Sequence, residues 1–312
     1  MDADSGVTYQ VPPHRLPVGD QTDLATIRVP AVEPDSIVVH LDHVPHRARL
    51  AEIARWMQTQ DFTRLSVSGY YDGSSIDLEF LEHFRFLTSL SIPREIAVRS
   101  IAGLRFLSSQ LTVLYLGSSR RVPSRDLGYL HALEGLEDLW LNGSVVNSLP
   151  EIGNLGHLKA LHLHGGGLPD LAAVTRFAEL RFLEIWNVRG LSNFDALGAL
   201  PTLEVLKLDT LCRFERFPDM SGSTALRRLH TGELRSLIDV SGLRSAAALV
   251  EVSLGLCPRL DPAQLSVLTA LPLLKRIDVG LGTNAKDSIV SQMIGAYGRP
   301  EYPAPWDRWN QW

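Results

Sequence analysis

Along most of this chain apolar residues recur in one short figure, L-x-x-L-x-L, with other apolar side chains admitted at each L. The figure starts at Phe62, Leu87, Leu111, Leu136, Leu158, Leu180, Leu203, Leu226, Leu249 and Leu274, with 22 to 25 residues between starts and no gap skipped. Residues two apart on a strand share a face, so the last two L positions point into a core and the residue between them points away. Ahead of most starts lie further apolar residues three apart, as in Leu127, Leu130 and Leu133, or Leu265, Leu268 and Leu271. A spacing of three predicts tight 3₁₀-like turns, or short helical turns with one buried face. Each unit therefore pairs a short strand with a returning apolar ridge. Neither buries its face alone, so the units must stack into a continuous core.

The stretches LPEIGNLGHLKALHLHG and LSNFDALGALPTLEVLKLD resemble leucine-rich repeats of the 22-residue SDS22-like and internalin-like type, over roughly residues 62–283. The resemblance implies an α/β fold: a curved solenoid with a parallel β-sheet on the concave face and turns, 3₁₀ or short helices on the convex face. That family often carries Asn three positions after the last strand leucine. Here the column reads Ser119, Ser144, Gly166, Val188 and Leu211 over its middle repeats, so neighbouring backbones need other partners.

The flanks read as caps, which a solenoid needs over its end faces. In residues 1–61, DSIVVHLDH supplies a strand with Val39 and Leu41 inward. HRARLAEIARWMQTQ follows as an amphipathic helix burying Leu50, Ile53 and Trp56 or Met57. In residues 284–312, a last helix places Ile289, Met293 and Ile294 on one face. A Trp- and Pro-rich tail with Trp306, Trp309 and Trp312 then either folds back on the last repeat or docks another protein.

The outward column between the last two L positions reads Ser66, Ser91, Tyr115, Trp140, His162, Glu184, Lys207, His230, Ser253 and Asp278. Flanking outward positions add Asp138, Phe182, Arg228 and Glu251 on one side, and His164, Trp186 and Asp209 on the other. Adjacent strands lie about 4.8 Å apart. Tyr115, Trp140, His162, His164, Phe182 and Trp186 thus form one cluster, beside a polar strip of Glu184, Lys207, Asp209, Arg228, His230 and Glu251. A contiguous exposed aromatic patch marks an interaction site, and Trp, Tyr and Arg dominate interface energies. These residues, Glu251 apart, are the expected partner-binding site. Two other readings stay open. The rings stack on one another as structural pairs worth ~0.5–1 kcal/mol each, or the loop SGYYDGSS of the first repeat covers them. On the binding reading, replacing both Trp140 and Trp186 by Ala abolishes partner capture and leaves thermal stability nearly unchanged.

Composition narrows the class. Of 312 residues, 45% are hydrophobic and 21% charged, as in a folded soluble protein, and a net charge of -5 argues against a nucleic-acid partner. The N-terminal stretch lacks a signal-peptide pattern, and no apolar run approaches the ~18 residues of a membrane span. A cytoplasmic protein with no membrane partner is the expectation. The two cysteines, Cys212 and Cys257, are too few for a disulfide framework or a zinc site and read as small buried hydrophobes.

His162 and His164 share a strand face and could ligate one metal with Glu184 or Asp209 as third ligand, but their order matches no known signature. His164-Gly165-Gly166-Gly167 has no G-x-S-x-G partner, and no phosphate-binding glycine motif follows a strand. Arg120, Arg121, Arg125, Arg213 and Arg216 read as solvated loop residues. The expectation is a non-enzymatic protein-binding module of inhibitor, immunity-type or adaptor kind, without cofactor or metal. A small-ligand or glycan binder on the same face is the alternative, and a metal-dependent enzyme using His162 and His164 ranks behind it.

Overall fold

The structure, a computed structural model, describes residues 14–68, 74–107, 109–153 and 155–299. Trp306, Trp309, Trp312 and residues 69–73 of the SGYYDGSS loop lie outside the described residues, and with them the two expectations placed there.

In chain order come β1 (His14–Val18), β2 (Ile37–Leu41), helix α1 (Arg47–Thr59), β3 (Arg64–Val67), β4 (Ser75–Asp77), β5 (Ser89–Ile92) and β6 (Ala97–Ser100). Then follow β7 (Val113–Ser118), β8 (Asp138–Gly143), β9 (Ala160–His164), β10 (Phe182–Trp186), β11 (Val205–Asp209), β12 (Arg228–Thr231) and β13 (Glu251–Leu254). Helix α2 (Ser266–Thr269), β14 (Arg276–Val279) and helix α3 (Asn284–Ile294) complete the order. Twelve strands join one sheet in the order β1-β2-β3-β5-β7-β8-β9-β10-β11-β12-β13-β14, with every pair parallel. Strands β4 and β6 form a small parallel pair of their own.

The leucine columns fix the register. Leu114, Leu139, Leu161, Leu183, Leu206 and Leu229 face one another across consecutive strands, and all are buried. A one-residue slip of any strand would turn its leucines out, so the pairing is strongly specified. The apolar residues spaced by three form 3₁₀ turns, such as Ala102–Phe106, Ala172–Arg176, Asp195–Ala199 and Ser241–Ser245, with one helical turn in α2. These turns stack closely. A Cβ on Gly198 would lie 1.9 Å from the Asp219 carbonyl oxygen, so no larger residue fits there.

At the N-terminal end, β2 buries Val39 and Leu41 as the pattern predicts, and α1 buries Leu50, Ile53 and Met57. Trp56 is half-buried, set edge-on against Phe62 at 5.5 Å. Strand β1 was not expected; it adds an edge strand beyond β2 and carries Pro17, which an edge tolerates. The face of α3 needs a correction. Val290 is buried and Met293 and Ile294 pack against the core, whereas Ile289 is 49% exposed. Helical spacing puts 290, 293 and 294 on one stripe and turns 289 to its outer side.

In place of an Asn ladder, the repeats use a different polar device. Where the chain enters a turn, a side-chain oxygen accepts the backbone N–H two residues on: Asp77 from Glu79, Ser100 from Ala102, Asp170 from Ala172, Asn193 from Asp195, Asp219 from Ser221, Asp239 from Ser241 and Asp261 from Ala263. These are Asx- and Ser-type turns that satisfy otherwise orphaned amides. Hydrogen bonds from the backbone and side chain of Ser241 hold the Asp239 carboxyl below its ordinary value of 3.8. Such a group adds stability above its unfolded pKa and loses it as pH falls through the lowered folded value. Asp239→Ala is therefore expected to cost about 1 kcal/mol near neutral pH. Asp239→Asn keeps the acceptor and should cost less. In thermal melts, the gap between wild type and the Asn variant should be constant above about pH 5 and close below the ordinary Asp pKa.

The two cysteines part company. Cys257 is buried as expected, and burial pushes its thiol up to about 11. Cys212 is exposed, against expectation, because it lies between the inward residues Leu211 and Phe214 and turns away from them. Iodoacetamide at neutral pH should alkylate Cys212 in the native protein and leave Cys257 unmodified until denaturant is added, as mass spectrometry would read directly.

Candidate functional site

Strands β7 to β11 carry three rows of side chains on the face turned away from the leucine core. The central row runs Tyr115, Trp140, His162, Glu184 and Lys207. One flanking row runs Asn142, His164, Trp186 and Asp209, and the other Asp138, Ala160, Phe182 and Val205. Parallel pairing in register brings together every expected aromatic. The Trp140 ring stacks on His162 with centroids 3.4 Å apart and planes 8° apart, and on Tyr115 at 5.8 Å. Phe182 covers the other side of His162 at 4.8 Å. His164 stands edge-on to Trp140 at 5.3 Å and to Trp186 at 5.4 Å.

This packing corrects the expected exposure. Trp140 is 7% exposed, Phe182 1% and His162 not at all; only Trp186, at 39%, stands clear in water. The physical reason lies in the strand spacing. Flat rings on neighbouring strands lie close enough to cover one another's faces, so a row of them forms a second, smaller core on the sheet's outer side. Tyr115 and His164 sit at its margin, half-buried, and Tyr115 accepts a hydrogen bond from the Asn142 amide.

Charges inside this second core are tightly arranged. His162 Nδ1 lies 2.7 Å from Glu184 Oε2, and His164 Nε2 lies 3.3 Å from the same oxygen. Burial pushes the His162 imidazole down to about 4, against the pull of Glu184, so it is neutral and donates through Nδ1. Burial also raises the Glu184 carboxyl, but the facing imidazoles of His162 and His164 outweigh it and hold the group well below the ordinary carboxylate range. On the far side of the His162 ring, Asp138 Oδ1 lies 3.5 Å from Nε2. Burial lifts the Asp138 carboxyl well above its ordinary value; the Trp140 indole opposes that rise without closing a hydrogen bond. Asp138 was legible as an outward residue but not as a member of the site. Its signal is an acid in the row beside Trp140, one strand from Ala160, which is too small to screen it.

The polar strip is less uniform than the sequence suggests. Lys207 Nζ lies 5.5 Å from the Phe182 ring centroid. Asp209 turns to Thr210 Oγ1, at 2.6 Å, and to the Glu233 amide. It is therefore Glu184, and not Asp209, that meets the two histidines. Arg228 and His230 are half-buried on β12, and burial lowers the His230 pKa. Glu251 is buried and lies 3.7 Å from Arg276. Beyond the C-terminal ends of β5 and of β7 to β10 a cleft of about 500 Å³ opens between successive turns, lined by Arg94, Ser119, Gly166, Asn187 and Arg189 among others. It begins at the residue after Trp186. Among the described residues no helix is long and apolar enough to cross a membrane.

No protein-family model matches the sequence, and no curated protein matches it at a significant level. Solved structures do resemble it. An internalin from Listeria monocytogenes is 15% identical with a TM-score of 0.48, over 81% of this chain and 76% of that one. The leucine-rich-repeat domain of the type III effector XopL is 17% identical with a TM-score of 0.46, over 79% and 77%. The mouse RP105/MD-1 complex contains a chain 20% identical, with a TM-score of 0.50, over 70% of this chain and 38% of that one. Repeat period, parallel register and stacked 3₁₀ turns converge on one architecture: the chain is a leucine-rich-repeat solenoid.

Proposed function

We propose that this solenoid is a non-enzymatic binding protein that grips another protein on the outer face of its sheet, with Trp186 as the anchor. The observation that carries the reading is the contrast within the aromatic cluster. Trp140 and Phe182 are covered and Tyr115 is half-buried, whereas Trp186 leaves 39% of its surface in water. The ring is braced by the His164 edge and stands on a strand paired on both sides. An indole held this way loses little freedom when a partner covers it, which favours affinity. The half-buried polar residues alongside, Lys207, Asp209, Arg228 and His230, would set the partner's orientation and reject wrong ones. An inhibitor, an immunity-type protein or an adaptor would each use such a surface, and the cytoplasm is the compartment proposed for it.

Quantitative capture from native lysate tests this with wild type, Trp186→Ala and Leu273→Ala. Leu273 is 52% exposed and lies away from the cluster, before β14. Proteins retained by wild type and Leu273→Ala but lost with Trp186→Ala support the proposal. Equal retention by all three would end it. The cleft beyond Trp186 favours one second reading, a small ligand or glycan stacked on the indole. Quenching of Trp fluorescence by simple sugars, with no protein retained, would select it.

A further inference from the structure

The buried row beside Trp186 gathers lone pairs without enough donors to satisfy them. Donor atoms of His162, His164 and Glu184 all lie within 4.8 Å of one another. His164 Nε2, His162 Nε2 and Asp138 Oδ1 are shut off from solvent and make no hydrogen bond. Two imidazoles and a carboxylate, converging from two adjacent strands, are a donor set for a borderline-soft divalent ion. We propose that His162 Nδ1, His164 Nε2 and Glu184 bind one divalent transition-metal ion, with Zn²⁺ the best suited. The inference holds whether or not the sheet docks a protein.

The distances suit that ion. With Zn–N and Zn–O bonds of about 2.0–2.2 Å, donors around a tetrahedral ion stand roughly 3.3 Å apart. The two separations from Glu184 Oε2 are 2.7 and 3.3 Å, and all three donor atoms lie within 4.8 Å of one another, the span of one ion's ligands. Mg²⁺ and Ca²⁺ ask for six or more oxygens, which the row does not offer. The support behind the ligands fits as well. Asp138 stands 3.5 Å from the other nitrogen of His162, the place a second-sphere carboxylate takes behind a metal-bound imidazole. Trp140 and Phe182 clamp the His162 ring from both faces, and Trp140 and Trp186 flank His164, so the ligand orientations are set in advance. An ion can enter from the side where His164 and Glu184 retain 15% and 17% of their side-chain exposure. Three protein ligands leave a fourth position for water or for a donor from a bound molecule. The opposing charge is Lys207, paired in register with Glu184 and directed over Phe182.

The test uses the full chain without an affinity tag, stripped with chelator and titrated with Co²⁺ and then Zn²⁺. One equivalent of Co²⁺ should produce the visible d–d bands of a four- or five-coordinate site, and one equivalent of Zn²⁺ should remove them. Glu184→Gln and His164→Ala should weaken Co²⁺ binding by roughly 100-fold or more, and Asp138→Asn by about 10–100-fold. His157→Ala, at an exposed histidine paired with Glu179, should leave it unchanged. Circular dichroism accompanies each variant, and His164→Gln, at the partly exposed ligand, keeps the test readable should the buried replacements fail to fold. Absence of a stoichiometric band in wild type, or wild-type affinity in His164→Gln, would overturn the proposal.

Discussion

Trp140→Ala is expected to destabilise the protein by about 3–5 kcal/mol, the cost of removing a buried indole and leaving a cavity. The ring is 7% exposed, stacked on His162 at 3.4 Å and on Tyr115 at 5.8 Å, with the His164 edge at 5.3 Å. Its loss would open the buried His162–Glu184 pair and the Asp138 carboxyl on one side, so the damage exceeds lost contact area. In a solenoid each repeat touches only its neighbours, and the defect is felt at the β7–β8 and β8–β9 interfaces. A chain of this size should melt roughly 5–8 °C lower. Trp140→Phe keeps a ring in the stack and should recover more than half of the loss. A drop below about 1 kcal/mol in urea or thermal unfolding would mean that the indole is free in water and that the second core does not exist. The expectation that Trp140 could be removed without cost fails for a definite reason: alternation along a strand says which way a side chain points, not what covers it.

That distinction marks what could be read from the residues alone. Leu114, Leu139, Leu161 and their counterparts repeat with a period that only stacked parallel strands satisfy, and the register they impose placed Tyr115, Trp140, His162 and Trp186 together without further information. What escaped depended on neighbours two strands apart. Phe182 and Trp140 stand on opposite sides of His162, and only their joint presence buries it. The turn-capping column changes residue type from Asp77 to Ser100 to Asn193, so no single letter betrays it, although each side chain does the same work. Strand β1 carries Pro17 and only five residues, too little pattern to declare itself ahead of β2. Ile289 and Val290 are adjacent and both apolar, and only the stripe shared with both Met293 and Ile294 selects Val290 for the core.

Trp186→Ala should separate binding from folding in the opposite direction. The side chain is 39% exposed and touches the cluster chiefly through the His164 edge, so its truncation should cost less than about 1 kcal/mol of stability, within the range of ordinary surface changes. At an interface the same truncation of an anchoring indole costs 2 kcal/mol or more, which is about a 30-fold loss of affinity. The two variants therefore form a cross. Trp140→Ala lowers the melting temperature and weakens binding only in proportion to the unfolded fraction, whereas Trp186→Ala weakens binding at an unchanged melting temperature. Titration calorimetry with a captured partner, at a temperature where both variants are folded, reads the two effects apart. The face would be free of a docking role if Trp186→Ala bound that partner as tightly as wild type. If Trp186→Ala instead melted as low as Trp140→Ala, the exposed indole would be holding the sheet together and could not be the anchor.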